Sequence, residues 1–343
     1  MKILAIETSC DETAAAVLEE KNGKFVLHSS VVASQVDIHA KTGGIVPEVA
    51  AREHVVKILP VIKQAVPNIN DIDVIAVTRG PGLITSLMVG LETAKTLAYA
   101  LKKPLITLNH IEGHFYGNWL PVPPGQEFSL PKIKLPALSL IVSGGHTELV
   151  LMKNHGIYKK IGETLDDAVG EAFDKVAKIL DLGYPGGPII EKMAKEGNPK
   201  KIELPRPLLK QKNYDFSFSG LKTAVLYIVK KQTHIDEQFK KDMAASFQQA
   251  SIDVLIGKTL RAAKDFKVKS IMISGGVAAN QTLIQAFQKA VKNELPSVPF
   301  YSPLRSFSTD NAAMMAMAAY FHALKKDFAT INKVKVDPNF GIG

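Results

Sequence analysis

The sequence predicts an α/β protein made of two related halves. Three observations carry that reading. Apolar strands alternate with helical stretches along the chain. The opening pattern of strand, small polar turn and strand, "ILAIETSCDETAAAVLEE" (3–20), returns as "ALSLIVSGGHTELVLMK" (137–153). The strand, glycine turn and helix of "IDVIAVTRGPGLITSLMVGLETAK" (72–95) is matched by "VKSIMISGGVAANQTLIQAFQKAV" (268–291).

The elements follow in order. "KILAIET" reads as a strand, "SCDET" as a turn, "AAAVLEE" as a second strand, and "KFVLHSSVVAS" as a third after the Asn22-Gly23 turn. "PEVAAREHVVKILPVIKQAV" has helical apolar spacing, with Pro60 as a kink. "IDVIAVTRG" is a buried strand running into "GPGL", the stretch 83–103 is a long helix, and "PLITLNH" is a strand. The pattern restarts near Pro136. "DDAVGEAFDK" leads into a helix, "GYPGGP" is a turn, and "YDFSFSGLKTAV" is a hairpin or mobile lid before a helix. "NAAMMAMAAYFHALKK" is a small-residue helix suited to close packing, its methionines core rather than ligands. Residues 1–120 with a C-terminal helix in 310–343 are expected to form the first subdomain, 121–135 a proline-rich linker, and 136–309 the second.

Composition narrows the class. With 343 residues, 46% hydrophobic, the chain can bury a large core, and at about 100–200 residues per domain it suggests two domains. No apolar run reaches the ~18 residues of a membrane span, and the N-terminus lacks the features of a signal peptide. One cysteine, Cys10, rules out an internal disulfide and suits a reducing cytoplasm. The net charge of +9 favours an anionic partner, nucleic acid above all, although the lysines are dispersed and no Arg-rich helix or aromatic stacking motif stands out.

Three constellations could carry chemistry. The glycine turns "SGGHTE" (143–148) and "SGGVAAN" (274–280) follow buried strands and let backbone N–H groups approach an anion. Placed alike in two halves, they suggest a nucleotide held between twin domains. There is no GxxxxGK[ST] or GxGxxG fingerprint. In "NHIEGH", His110 and His114 stand four apart, about 40° from alignment on a helix, so both imidazoles can reach one metal. Asp310, in "SFSTDNAAM", is the candidate third ligand; its alternative role is a helix N-cap. Two histidines and a carboxylate suit Fe(II) or Zn(II) with open positions. The slot for the base glutamate of an HExxH protease holds Ile111, and Glu112 lies about 200° from His110, which argues against a metallopeptidase. The third constellation is acidic: Asp11 and Glu12 in the first turn. Asp174 could accept hydrogen bonds from ribose hydroxyls, and Glu191 could do likewise.

Ten ordered stretches resemble one family. "IETSCDET", "GGIVPEVAAREH", "GPGL", "HIEGH", "SGGHTEL", "GEAFDKVAKIL", "YPGGP", "DFSFSGLKT", "ISGGVAAN" and "STDNAAMMA" are similar to the universal tRNA threonylcarbamoyladenosine transferases, TsaD in bacteria. The resemblance implies the acetate kinase, Hsp70 and actin (ASKHA) superfold: two ribonuclease H-like domains and an interdomain nucleotide cleft. It implies transfer of the threonylcarbamoyl group of threonylcarbamoyl-AMP to N6 of adenosine 37 in tRNAs reading codons that begin with A, with AMP released. His110, His114 and Asp310 resemble the metal ligands. Ile141, Val142, Ser143, Gly144, Gly145, Asp174, Gly187, Glu191 and Asn280 resemble the adenylate-binding set, which ATP, ADP or AMP could also occupy. Some archaeal members have a tyrosine where Ile141 stands, so the chain looks bacterial and its metal less tightly held. Asp11 or Glu12 is expected to accept the amine proton or orient the threonyl group. The implied partners are tRNA, a degenerate paralogue resembling TsaB and a small P-loop ATPase resembling TsaE. The alternatives are an ATPase or kinase of the same fold, a non-catalytic partner subunit and the peptidase.

Overall fold

The structure, a computed structural model, describes residues 1–342. The chain runs through β1 (Lys2–Glu7), β2 (Glu12–Lys21), β3 (Lys24–Ser34), α1 (Val36–Ala40), α2 (Pro47–Ala65), β4 (Val74–Gly80), α3 (Ile84–Leu101), β5 (Leu105–Asn109), α4 (His110–Tyr116) and β6 (Glu127–Phe128). It continues with β7 (Ala137–Val142), β8 (Thr147–Asn154), β9 (Ile157–Glu163), α5 (Val169–Ile179), α6 (Gly186–Ala194), α7 (Ser219–Lys230), α8 (Glu237–Asp265), β10 (Ser270–Ser274), α9 (Gln281–Glu294), β11 (Phe300–Tyr301) and α10 (Ala312–Leu324). These elements form two units: Met1–Lys132 together with the chain from Pro303 onward, and Ile133–Ser302.

The sheets repeat one another. The first has strand order β5-β4-β1-β2-β3-β6 and the second β11-β10-β7-β8-β9. In each, an antiparallel meander (β1–β2–β3, β7–β8–β9) continues through two parallel strands (β4 and β5, β10 and β11). The doubled sequence pattern is therefore a doubled sheet. Asn22 (φ 54°) and Gly23 (φ 76°) close the β2–β3 hairpin with the two positive φ values of a tight primed turn.

In the first unit, Leu4 and Ile6 of β1 and Val17 of β2 pack with Ile58 and Ile62 of α2 and Leu91 and Ala94 of α3. The alternate residues Ile3, Ala5, Ala14 and Ala16 are equally buried, and α10 lies against β1 and β2. Such strands, buried on both faces, read as continuous apolar runs. In the second unit, Leu138, Leu140 and Val142 of β7 pack with Phe173 and Val176 of α5, Phe247 and Leu255 of α8, and Phe287 of α9. Helix α8, 29 residues long, starts on the Asp236 side chain, which accepts from Phe239 N–H.

Two expectations shift. The strand of "PLITLNH" ends at Asn109, because the Asn109 side chain accepts from Ile111 N–H and starts α4 at His110. The "GYPGGP" turn gives way to α6 at Gly186, whose N–H donates to Asp174 Oδ1 at 2.7 Å.

Gly275 has φ +94°, and a Cβ there would sit 2.4 Å from the Val142 carbonyl oxygen. Gly275→Ala is expected to cost ~1–3 kcal/mol, combining left-handed strain with that clash. Urea unfolding beside the wild type measures it; a change below about 0.5 kcal/mol, the surface-mutation range, would show that the turn relaxes freely.

Candidate active site

Helix α4 is only seven residues long and wholly buried. It approaches α10 closely because residue 113 is glycine: a Cβ there would fall 2.2 Å from Met315 Sδ. The facing stretch of α10 is alanine-rich, and Ala312, Ala313 and Ala316 are fully buried. This contact carries the start of α10 to the histidine pair. The α10 N-cap is Asn311, whose side chain accepts from Met314 N–H at 2.9 Å. Asp310 is not the cap, and its carboxylate faces the imidazoles instead.

Asp310 Oδ1 lies 3.5 Å from His110 Nε2 and 3.3 Å from His114 Nε2. One ligand atom from each of the three residues falls within 4.8 Å of the others. Two ligands each about 2.0–2.1 Å from a tetrahedral ion sit about 3.3 Å apart, so the two carboxylate–imidazole distances match a shared cation. Both ring nitrogens of His114 are buried with no hydrogen-bond partner, although Nε2 is close to Asp310. A native interior rarely leaves an imidazole so. The donor set and the orphaned ring both fit a metal.

The feature the motifs did not reveal is Glu7. It ends β1, fully buried, and its Oε2 lies 3.2 Å from His110 Nδ1. A carboxylate accepts only, so Nδ1 carries the proton and Nε2 is left as the ligand nitrogen. Ser9 Oγ is 3.1 Å from the same Nδ1, Ser9 N–H donates to Glu7 Oε1 at 2.6 Å, and Thr78 Oγ1 donates to Glu7 Oε2. Burial alone would raise Glu7, but the charge and hydrogen bond of His110 outweigh it and hold Glu7 below the usual carboxylate range. Burial likewise opposes charge on His110, yet Asp310 and Glu7 hold the imidazole up to about 9. A divalent ion would displace the proton from His110 Nε2, and with both imidazoles neutral Glu7 and Asp310 would offer it two negative charges. The signal was present in the sequence: a lone carboxylate at the end of an otherwise apolar strand.

The acidic turn is in the same unit. Leu83 N–H donates to Ser9 O at 2.8 Å, and Gln35 N–H donates to Asp11 O at 3.1 Å. Burial first, then the Asp11 carboxyl and the charge of Asp310, hold Glu12 far above the usual carboxylate range, so the Asp11–Glu12 pair retains a proton between them. Ser34 Oγ donates to Glu12 Oε1 at 3.0 Å. Burial and the same carboxylates push the Cys10 thiol well up, which removes it as a nucleophile. Glu112 turns to His322, 3.0 Å away, as its helical position predicts.

In the second unit the adenylate-like residues form a ring. Ser143 O accepts from Gly170 N–H at the start of α5, and Asp174 of α5 accepts from Gly186 at the start of α6. Glu191 of α6 accepts from Gln281 N–H at the start of α9 (2.9 Å), and Asn280 caps α9 while donating to Gln248 Oε1 (2.8 Å). Gly275 closes the circle against Val142. Ile141 and Val142 are wholly buried in β7. Ser143 N–H is used by His146 O (2.8 Å). At Gly144, Gly145 and Gly187 a Cβ would meet nothing within 4 Å, so a ligand could approach these backbones. Burial raises Asp174, against the pull of the Gly186 and Gly187 amides.

Twin sheets of one order, glycine turns at strand ends and a buried His-His-Asp cluster define a protein of the ASKHA superfold with a candidate metal centre. HypF of T. kodakarensis superposes with a TM-score of 0.63 at 14% identity, over 97% of this chain and 49% of that one. A full-length HypF in a phosphate- and nucleotide-bound form gives 0.59 at 12% identity, over 95% and 46%. The chain belongs to the TsaD family, described as tRNA N6-adenosine threonylcarbamoyltransferase, whose model matches residues 26–317. Relatives bearing that name include those of Thermosipho melanesiensis, 52% identical over 93% of this chain and 94% of theirs, and Geobacillus thermodenitrificans, 49% identical over 95% and 94%. No helix among the described residues is long and apolar enough to cross a membrane.

Replacing Glu7 by Gln keeps the shape but removes the charge behind His110. Metal affinity is expected to fall about 10–100-fold, the usual cost of losing such a support. Competition with a metallochromic chelator reads it; affinity equal to the wild type would remove Glu7 from the centre.

Proposed function

We propose that this chain transfers the threonylcarbamoyl group of threonylcarbamoyl-AMP to N6 of adenosine 37 in tRNAs that read codons beginning with A, releasing AMP. The observation that carries the reading is family membership across most of the chain, joined to the His110–His114–Asp310 cluster with Glu7 behind it.

The adenine amine is a weak nucleophile, its lone pair delocalised into the ring. Its nitrogen attacks the carbamoyl carbon, the bond from that carbon to the phosphate oxygen breaks, AMP departs with the electron pair, and one amine proton must leave. Asp11, beside Glu12 in the acidic turn, accepts that proton. Gly144 and Gly145 N–H groups, rather than that of Ser143, are the amides free to donate to the adenylate. Asp174, Glu191 and Asn280 shape its pocket from behind, and ATP, ADP or AMP would fit the same place. A divalent ion on the triad, Fe(II) or Zn(II), would supply Lewis acidity at the carbonyl or the leaving phosphate. The net charge of +9 suits a tRNA backbone. Val55, Val56 and Leu59 of α2 with Ile84 and Met88 of α3 make an exposed apolar face, which suits a degenerate TsaB-like paralogue as partner. A small TsaE-like ATPase completes the set, and the cytoplasm, where tRNA is found, is the compartment.

The test is a transfer assay with labelled threonine, ATP, bicarbonate, tRNA, the adenylate-forming enzyme and both partners. Label should enter tRNA; no label, together with nucleotide turnover by this chain alone without tRNA, would sink the reading in favour of an ATPase. Asp11→Asn should lower the rate ~10²–10⁴-fold with metal content unchanged, and loss of less than about tenfold would deny Asp11 the proton. Leu59→Glu should abolish co-purification with the paralogue while the thermal midpoint stays put; retained binding would place the partner elsewhere.

A further inference from the structure

The stretch "GGIVPEVAAREH" (43–54) takes no part in the transfer described so far. It ends in a fully buried imidazole at the acidic turn. His54 Nε2 lies 2.9 Å from the Cys10 carbonyl oxygen and Nδ1 lies 2.7 Å from Thr13 Oγ1. A carbonyl only accepts, so Nε2 carries the proton, and Nδ1 accepts from the threonine hydroxyl. Burial holds His54 below its ordinary value, against the Cys10 carbonyl and the Glu7 and Asp11 charges, which favours this neutral form.

A second buried imidazole acts one residue along. Val46 N–H donates to His39 Nδ1 at 3.4 Å, so His39 Nε2 carries the proton and donates to Gln35 Oε1 at 3.2 Å. The Gln35 amide donates to Ala50 O at 3.3 Å, and Gln35 N–H donates to Asp11 O. Two consecutive carbonyls of the turn, those of Cys10 and Asp11, are thus tied to residues 35–54. Asp11 and Asp310 both lie near Glu12, so the turn carries its carboxyls close to the histidine pair's aspartate.

We propose that His54, with Gln35 and His39 beside it, is a positioning residue for the transfer, pinning the Cys10–Thr13 turn so that Asp11 and Glu12 stay at the reacting amine. This rests on the role given above to the acidic turn. A displacement on the order of 1 Å at such a group costs about 10²-fold in rate.

The experiment uses the full chain with its partners and tRNA, and compares wild type, His54→Leu and His54→Gln alone and in an Asp11→Asn background. His54→Leu should lower kcat about 10–100-fold with KM for tRNA and bound metal unchanged. His54→Gln, which keeps a donor and an acceptor, should recover most of that loss even if the leucine variant folds poorly. In the Asp11→Asn background, His54→Leu should lower the rate no further, since both act through one turn. A leucine variant with wild-type kcat, one that loses metal in proportion to rate, a glutamine variant no better than leucine, or equal losses in both backgrounds would each overturn the proposal. A wild type that modifies no tRNA would overturn the functional reading instead.

Discussion

The first unit depends on how closely α4 and α10 approach. Residue 113 has no side chain, and Met315 occupies the space that a Cβ would take. The run of buried alanines at the start of α10 keeps that helix thin where it meets α4 and the sheet. Small residues are used here because backbones must come near, not because the core lacks volume. Two residues 196 positions apart in sequence, His114 and Asp310 (310 − 114), thereby come within 3.3 Å. The cap at Asn311 matters as much as the packing. Had Asp310 ended the helix, its oxygen would have been spent on a backbone N–H. With Asn311 in that role, the carboxylate one residue earlier is turned to the imidazoles.

Close packing alone would leave a costly arrangement. Burying a carboxylate such as Glu7 costs several kcal/mol unless its oxygens are satisfied. They are: Ser9 N–H binds one oxygen, and the Thr78 hydroxyl and His110 bind the other. The same bonds set the tautomer of His110 and aim Nε2 at Asp310. A charge on β1 thus decides which nitrogen of a helix residue faces the pocket. The sheet carries the electrostatic part of the site, and the two helices carry its geometry.

Much of this was legible in the sequence, for definite reasons. The histidine spacing has a single helical consequence, and Ile111 in the slot of a protease base gave the geometry away from peptidase chemistry. The repeated strand–turn–strand phrase foretold twin sheets, because strands buried on both faces must be written in apolar residues. The helix from Glu237 to Asp265 went unread: it is buried on several sides and lacks a clean polar face, so periodicity marks it weakly. Glu7 and His54 were visible as letters but silent as roles, since a buried polar residue acquires meaning only from its partner. Glu7 needs His110, 103 positions away, and His54 needs a carbonyl, which has no letter at all.

The second unit shows the same limit from the other side. Asp174, Glu191 and Asn280 look like ligand-contacting residues, and each has oxygens engaged by the N–H of a helix start. Their side chains tie α5 to α6, α6 to α9, and the start of α9 to Gln248 of α8. Such bonds satisfy N–H groups at the positive ends of α6 and α9. The backbones at Gly144, Gly145 and Gly187 have open space before them, while these three side chains keep only their remaining lone pairs free of helix N–H groups. Polar residues shared by adenylate sites can therefore be the frame of the pocket as much as its lining. Substituting one of them should loosen the helix start it holds, an effect that resembles lost binding even where the residue touches no ligand.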